Sequence, residues 1–330
     1  MSPGPGPSDP LMRAALFAGR APSLHNSQPW HWYVQAGQLE LRLEPSRVLR
    51  AADPDARLAI LSCGAALHHA RIHLAAAGWR IDVIRLPDPD DPGLLAEVVL
   101  GEPAPADPDA VRLAGVVQRR ATDRRNFSAA PVDLHRVHSV RGAICRERAD
   151  LTLLRPDQVI RLGQAAEYAY QADSGAAGRR ESAAWIGGDR SVGTGIPAAA
   201  LPADPYRLGL AEPARLMRRA GTALIAESHH RAAVFAVLST AGEGRFDWLA
   251  AGQALSAGWL TATTLGIAVL PLSVVTEVAA SRDLLRPLLR PPGNPQLVLR
   301  LATASDTCSP ATPRLAPEAF VSRRPSADVR

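Results

Sequence analysis

Apolar residues recur along the chain with two periods, and each period predicts one type of element. A spacing of three and four residues is typical of an amphipathic helix, whereas strict alternation is typical of a strand with one buried face. The segment 39–44 is the clearest strand, because Leu39, Leu41 and Leu43 alternate with charged residues. We predict helices at 10–18, 58–77, 109–120, 152–181 and 246–265, and strands at 31–34, 39–44, 80–85, 96–100, 232–239 and 296–302.

Two of the predicted helices repeat a short pattern. When residues 64–67 (GAAL) are placed over residues 252–255 (GQAL) without a gap, Gly78 falls on Gly266. Each helix is also followed by a core strand. Alanine-rich helices resemble one another by chance, so the pattern leaves internal duplication and coincidence equally open.

Three segments lack any periodicity. Residues 1–10 are rich in proline, glycine and serine and are predicted to form a disordered tail, because no charged region precedes an apolar one as in a signal peptide. A linker at 102–108 divides a first half, 11–105, from a second half, 109–330. Residues 187–213 are rich in glycine, proline and alanine, and a segment of this kind is usually either a functional lid or disordered.

Composition narrows the class of protein. The 330 residues are 47% hydrophobic, which allows two domains or one large two-lobed unit, and no apolar run is long enough to cross a bilayer. We therefore predict a cytoplasmic protein that does not bind membranes. Cys63, Cys145 and Cys308 are far apart, so reduced buried thiols are expected and not a metal site or a disulfide framework.

The charge pattern points to a small anion and not to nucleic acid. The chain has no lysine, and its arginines alternate with Asp and Glu to give a net charge of +5. Because no basic block stands out, we predict that the protein does not bind nucleic acid. The charge is compatible with an anionic cofactor.

A loop between the first helix and the first strand carries the most specific motif, Pro22-Ser-Leu-His-Asn-Ser-Gln-Pro-Trp30. A rigid loop of this kind can present hydroxyl, amide and backbone N–H groups to a ligand, or can simply end a helix and pack Trp30 into the core. The segment closely resembles the PSxxNxQPW signature of the nitroreductase family. The resemblance implies contacts with a flavin from Pro22, Ser23, Leu24, His25, Asn26 and Gln28.

Two arginine segments resemble the parts of the same family that bind the phosphate of FMN. Residues 119–127 resemble RRxSxRxF, with a threonine in place of the serine and the phenylalanine one residue late; Arg120, Thr122 and Arg124 carry over. Residues 312–321 resemble KPRxPLEEVV, with Thr312 in place of the usual lysine, and Arg314 carries over. Arginine suits a phosphomonoester because its guanidinium offers forked, charge-assisted donors.

A third segment, 266–274, resembles the passage in which backbone N–H groups approach the reactive flavin nitrogen. Leu272, Ser273 and Val274 occupy that place, where the family often has glycine.

The resemblance implies an α+β, nitroreductase-like fold in which two similar halves of one chain form a pseudo-dimer, as in the twin-domain, Acg-type branch of the family. In the homodimers the PSxxN loop and the arginine segments come from different subunits. Here the loop lies only in the first half and the arginines only in the second, so one complete FMN site per chain is expected, and the chain is complete as a monomer. Hydride would pass from NAD(P)H through FMN to a small planar acceptor such as a nitroaromatic or quinone, without a catalytic acid or nucleophile from the protein.

One alternative to a reductase stays open. If 187–213 closes over the site, the protein stores or sequesters flavin with little or no reductase activity. Other motifs are set aside: His69 and His73 lack the HExxH pattern of a metal site, and the GxGxxA-like segment at 193–198 has no preceding strand, which excludes a Rossmann dinucleotide site.

Overall fold

The computed structural model describes residues 9–124, 130–172, 176–187, 193–201, 233–305 and 312–324. Its helices are α1 (Pro10–Ala18), α2 (Arg57–Ala76), α3 (Pro108–Ala114), α4 (Leu134–Cys145), α5 (Pro156–Ala172), α6 (Ala176–Trp185), α7 (Arg245–Thr264), α8 (Val274–Glu277) and α9 (Ala279–Asp283). Its strands are β1 (Trp30–Gln35), β2 (Gln38–Leu43), β3 (Trp79–Arg85), β4 (Leu94–Pro103), β5 (Asp150–Leu153), β6 (Val234–Thr240), β7 (Ile267–Leu272), β8 (Asn294–Thr303) and β9 (Val321–Arg323).

The strands form two separate sheets, which confirms the predicted α+β class. The first sheet has the order β3-β4-β2-β1-β9, and the second has the order β5-β6-β8-β7. β9 runs parallel to β1, so the end of the chain returns to the first sheet and pairs there with residues 32–34. The second sheet is antiparallel throughout.

Two helices of 20 residues each, α2 and α7, pack between the sheets. Each helix contributes to the apolar core of the other half. Leu249 of α7 belongs to the core built on the first sheet, and Leu58 and Leu61 of α2 belong to the core built on the second. Burial on both sides explains why the two helices are apolar around most of their circumference.

The helices cross at the two glycines that the internal repeat aligns. A Cβ on Gly64 would lie 2.1 Å from the carbonyl oxygen of Leu249, and a Cβ on Gly252 would lie 1.8 Å from that of Leu61. Leu61 and Leu249 hold equivalent positions in their helices, so the contact is reciprocal, as at a two-fold axis. The aligned residues are therefore partners in space, which favours duplication over coincidence.

The symmetry that relates the two helices extends beyond the crossing glycines. His68 and Ser256, which are also equivalent, lie 2.9 Å apart between Nδ1 and Oγ. Gly78 and Gly266 follow the two helices with φ angles of 79° and 71°, a region that favours glycine.

Several predicted elements differ from the structure. The helix predicted at 109–120 ends at Ala114 in α3, and the helix predicted at 152–181 begins instead with strand β5 before α5 and α6. β5 forms because its residues pair with β6, a long-range contact that overrides local periodicity. α4 was not predicted, because its burial stripe is short and its composition polar.

Two burial predictions were wrong. Glu40 alternates with leucines and was expected to face solvent, but it is 4% exposed, because β9 brings Arg324 within 3.0 Å of its carboxylate. Cys145 is exposed at the end of α4, whereas Cys63 is buried as predicted. Cys308 lies outside the described residues.

Candidate functional site

A cavity of about 690 Å³ lies where the loop before β1 meets α2, α7 and the start of the second sheet. Segments far apart in sequence line it, from residue 20 to residue 314. Ten of the residues that the family resemblance singles out line this one cavity: Pro22, Ser23, Leu24, His25, Asn26, Arg120, Thr122, Arg124, Ser273 and Arg314.

The loop at 22–28 is held in an unusual backbone conformation. His25, Asn26 and Gln28 have φ angles of 45°, 58° and 51°, in the left-handed region that side chains rarely adopt. The hydroxyl of Ser23 accepts a hydrogen bond from the backbone N–H of Gln28 at 2.9 Å, which closes the loop on itself. The Leu24 N–H donates to the hydroxyl of Ser62 at 3.2 Å and fixes the loop to α2.

Asn26 connects this loop to two other segments. Its amide nitrogen donates to the carbonyls of Gly195 at 3.0 Å and Pro313 at 2.9 Å, and its amide oxygen accepts from the guanidinium of Arg314. Gln28 makes a parallel connection, because it donates to the Gly193 carbonyl at 2.8 Å and accepts from the N–H of Leu315 at 3.1 Å. These buried amides therefore position the arginine segment against the loop.

Arg119 and three further arginines line the cavity from the second half, and those three, Arg120, Arg124 and Arg314, are the ones that the family resemblance names. The segment that carries Arg120 and Arg124 lies beside β7, where the Asp123 N–H donates to the Val269 carbonyl at 3.3 Å. Arg314 lies on the segment that leads to β9, and its guanidinium donates to the Thr312 hydroxyl at 3.0 Å.

Burial affects all three cations. It lowers the pKa of Arg120 to about 9, with repulsion from Arg314 and Arg124 acting in the same direction. Burial also lowers the pKa of Arg314 to about 10, with repulsion from Arg20 adding to it, and that of Arg124 to about 10, against the attraction of Asp123. All three remain cationic at neutral pH.

These charges are only partly compensated within the part of the chain that the structure describes, where Asp123 attracts Arg124. There, no ion pair joins Arg120, Arg124 or Arg314 to a carboxylate, and the Nε atom of each is buried without a hydrogen-bond partner. Uncompensated buried charge is costly, so the arrangement fits a ligand that brings negative charge. The forked donors suit a phosphate group.

The rest of the cavity wall is largely apolar. Its apolar side chains come from both central helices, from the second sheet and from loops: Leu24, Leu58, Leu61, Ile196, Leu255, Trp259, Ile267, Leu270 and Leu297. A wall with a cationic part and an apolar part suits a ligand with a phosphate and a flat ring system.

Comparison with known proteins identifies the family. No protein-family model matches the chain. Two proteins of Mycobacterium tuberculosis strain H37Rv, Rv3131 and Acg, are 36% and 35% identical to it over 321 and 318 residues; the alignments cover 93% of this chain in each case, and 89% and 93% of the relatives. Both carry the name "Putative NAD(P)H nitroreductase". The chain belongs to this nitroreductase family. It is therefore an oxidoreductase of that family, and the sequence resemblance is confirmed.

A further relative and two solved structures are similar at lower levels. Rv3127 of the same strain, an uncharacterized protein, is 34% identical over 89% of this chain and 87% of its own. The FMN-dependent nitroreductase NfnB of Mycobacterium smegmatis, solved in complex with NADPH, is 16% identical with a TM-score of 0.42, covering 63% of this chain and 96% of its own. A nitroreductase of Bacteroides fragilis with bound FMN is 11% identical with a TM-score of 0.36, covering 62% and 94%.

Three predicted site residues do not line the cavity of this nitroreductase-family chain. Gln28 is 0% exposed and does not reach the cavity, because its side-chain amide bonds Gly193 and Leu315 instead. Leu272 packs in an apolar cluster, and Val274 packs partly buried against the same cluster. Ser273 between them does reach the cavity, and its hydroxyl donates to Glu277 at 2.8 Å.

The residues of α7 that line the cavity carry no motif that distinguishes them in the sequence. Leu255, Trp259 and Thr263 are spaced four apart and face it from one side of the helix. That spacing was visible in the sequence, but an ordinary core stripe has the same period. Arg20 also lines the cavity, and its carbonyl accepts hydrogen bonds from both Arg120 and Arg314.

The segment proposed as a lid is described only at Gly187 and at 193–201. Within that part, Ile196 lines the cavity at 3% exposure and packs with Leu49, Trp185 and Ile186. The remainder of 187–213 lies outside the described residues. Among the helices that the structure does describe, none has the length and apolarity needed to cross a membrane.

Proposed function

We propose that this chain binds one FMN in the cavity and uses it to pass hydride from NAD(P)H to a small planar acceptor such as a nitroaromatic or quinone. One observation carries the proposal: three arginines, of which Arg120 is buried and Arg124 and Arg314 are half-buried, form no ion pair with a carboxylate of the described chain and face the same cavity as an apolar wall. FMN combines a phosphate of about −1.5 to −2 charge with a flat ring, so both parts of the wall find a partner. Two of the relatives carry the name "Putative NAD(P)H nitroreductase", which supports the electron donor.

The protein's own residues bind and orient the ligand. Arg120, Arg124 and Arg314 would hold the phosphate, and the apolar side chains of α2, α7 and β7 would exclude water from the ring. The loop at 22–26 would contact the polar edge of the ring and the sugar chain. When bound, FMN supplies the hydride-carrying chemistry, so the chain needs no catalytic acid or nucleophile.

One flavin per chain is expected because the cavity wall takes different parts from each half of the chain. The loop comes from the first half and the arginines come from the second, and Arg120, Arg124 and Arg314 have no counterpart motif in the first half. We infer that the two halves act as a pseudo-dimer with one complete site, and that a single chain suffices.

The test is to denature the purified protein after loading with FMN and to quantify the released flavin. We expect about one FMN per chain, and anaerobic NADPH should then bleach the flavin absorbance of the loaded protein. A ratio near two, or the absence of flavin after incubation with excess FMN, would contradict the proposed site.

A second candidate function is flavin storage, and the position of Ile196 favours it. This residue lies against the cavity, and backbone contacts of its neighbours Gly193 and Gly195 with the loop hold it there. If the segment blocks nicotinamide, Ile196→Ala should speed anaerobic bleaching by NADPH while FMN stays bound. Fast bleaching in the unaltered protein, equal to that of the variant, supports the reductase; bleaching absent from both, with FMN bound, supports storage.

A further inference from the structure

The position of Arg120 poses a physical problem. Its side chain is 8% exposed, yet repulsion from Arg314 and Arg124 opposes its charge. Among the described residues its guanidinium makes one long hydrogen bond, from Nη2 to the Arg20 carbonyl at 3.4 Å. A single bond at this distance does not fix the orientation of a planar group that carries five donors.

Trp259 supplies the missing support. Its ring lies on α7 at 3% exposure, and the central carbon of the Arg120 guanidinium lies 4.7 Å from the ring centroid. The face of an indole ring attracts a cation through its quadrupole. Stacking against this face defines the plane of the guanidinium and leaves its N–H donors and its charge available.

A carboxylate in the same place would act differently. It would orient Arg120 equally well, but it would neutralise the charge and occupy the forked donors. An arginine held by a carboxylate does occur near this helix crossing, where Arg71, the α2 residue equivalent to Trp259, is paired with Glu147 at 2.7 Å.

We propose that Trp259 is a positioning residue that holds Arg120 by its aromatic face so that the full charge of the guanidinium reaches an anionic phosphate in the cavity. Trp259 thereby makes the site selective for flavins that carry a phosphate, an inference that rests on the proposed FMN site. The competing explanation is simple packing, because Trp259 also belongs to an apolar cluster with Leu255, Ile267 and Leu297.

Two flavins separate the explanations. FMN and riboflavin differ by the phosphate alone, so a packing defect should weaken both, whereas loss of the stacking should weaken FMN selectively. Trp259→Leu should weaken FMN by about 3- to 30-fold, as expected for a desolvated cation–π contact, and change riboflavin by less than about threefold. Trp259→Phe keeps an aromatic face and should stay within about threefold of the unaltered protein for both flavins.

Equal losses for FMN and riboflavin in Trp259→Leu, or a loss in Trp259→Phe as large as in Trp259→Leu, would overturn the proposal. A double variant adds a second criterion. If Trp259 acts through Arg120, Trp259→Leu should cause no further selective loss of FMN when Arg120→Gln is already present. Trp259→Met is a bulkier non-aromatic variant in case the leucine variant is unstable. Failure of both to fold, while Trp259→Phe folds, would show a structural role and contradict the proposal.

Inorganic phosphate distinguishes this inference from the proposed function. If the unaltered protein binds FMN and only the selectivity test fails, the flavin site stands and the role of Trp259 is wrong. If the unaltered protein does not bind FMN, its melting temperature is measured with and without inorganic phosphate. A rise in melting temperature that Trp259→Phe keeps and Trp259→Leu loses would show that the Arg120–Trp259 pair is an anion site. If phosphate does not stabilise the unaltered protein, both the proposed FMN site and the role of Trp259 are overturned.

Discussion

Where α7 carries Trp259, α2 carries Arg71 at the equivalent position, and the surroundings of the two residues differ in charge balance. Trp259 supports Arg120 beside the cavity, and within the described chain no carboxylate forms an ion pair with Arg120. Arg71 donates to Glu147 at 2.7 Å and to Gln253 at 2.8 Å. We call Arg71, Arg85, Glu147 and Gln253 the Arg71 cluster.

The Arg71 cluster bonds its two arginines within the protein. Arg71 pairs with the carboxylate of Glu147, and Arg85 donates to the amide oxygen of Gln253 at 3.0 Å, which Arg71 also bonds. Asp123 lines the cavity and attracts Arg124, but within the described residues no carboxylate forms an ion pair with Arg120, Arg124 or Arg314, so the proposed anionic ligand would supply the remaining compensation. In the proposed site, one set of arginines near this crossing bonds within the fold and the other binds a ligand, which would explain how a repeated framework provides a single binding site.

The largest expected effect concerns the symmetry on which this comparison depends. Gly64→Ala and Gly252→Ala each place a methyl group within 2.1 Å or less of a backbone carbonyl oxygen of the opposite helix, which must move away. We expect each variant to lose at least about 3 kcal/mol of unfolding free energy, as in severe overpacking. Urea denaturation of the two variants measures the loss.

Gly142→Ala is the matched control, because a Cβ added at this interior residue of α4 would meet no heavy atom within 4 Å beyond its chain neighbours and the backbone of its own helix. It should be neutral or stabilising by up to about 1 kcal/mol, since alanine favours helices over glycine. If only one of the two crossing glycines tolerates alanine, the contact is not reciprocal and the comparison of equivalent positions fails.

Much of the fold could be predicted from local patterns. Alternating leucines predict the hairpin of β1 and β2. The predicted bounds of α2 and α7 nearly agree with the observed ones, because both helices are long apolar stretches that end close to a glycine. β5 and β9 could not be predicted in this way, because each is short and forms only by pairing with a distant strand. The division at 102–108 into two halves stays a prediction.

The site was predictable as a set of segments and not as a set of contacts. The motif at 22–30 and the arginine segments identified residues that do meet in one cavity, although their contacts with FMN stay a prediction. The stacking of Arg120 on Trp259 was not predictable, because it joins residues far apart in sequence and α7 has the period of any core helix. The inward turn of Gln28 was hidden for the same reason.

The second prediction compares an arginine of the cavity with one of the Arg71 cluster. Arg314→Ala should weaken FMN by about 10- to 150-fold, the loss of a hydrogen bond to a charged group of about 1.5–3 kcal/mol, and riboflavin much less. Arg71→Ala, the matched control, should leave both affinities unchanged, because its charge is compensated by Glu147. Equal losses for FMN and riboflavin in Arg314→Ala would show that Arg314 acts through folding of the loop that Asn26 organises.

The third prediction uses pH to probe the contact between the two helices. Burial lowers the pKa of His68 from 6.5 to about 4, with repulsion from Arg71 in the same direction and attraction by Glu147 against it. The unfolded chain therefore binds more protons between these values, so stability is present above pH 6.5 and is lost as pH falls towards 4. This group alone should make the protein about 2 kcal/mol less stable at about pH 5 than at about pH 7.

Urea denaturation at these two pH values measures the effect, and His68→Asn is the comparison, because asparagine can bond Ser256 without titrating in this range. The variant should show a smaller loss on acidification. Part of the loss should remain, since burial also lowers the pKa of His69 well below its usual value. An unchanged pH dependence in His68→Asn would contradict the buried, neutral state of this histidine.

The smallest expected effect tests whether the Arg71 cluster conceals a second ligand site. Glu147→Gln removes the carboxylate that pairs with Arg71 but keeps the size of the side chain and a hydrogen-bond acceptor. Both partners are partly exposed, at 26% and 16%, so we expect a loss of only about 1 kcal/mol in unfolding free energy. Asp150→Asn, which removes the partner of Arg141, is the matched control at a more exposed ion pair and should lose less.

Released flavin should stay at about one FMN per chain in Glu147→Gln, because Gln253, Arg85 and the retained side chain still occupy the place that a ligand would need. A second equivalent of FMN in this variant would show that the charge of Glu147 alone keeps flavin out of the Arg71 cluster. The cluster and the cavity would then differ by one carboxylate and not by shape.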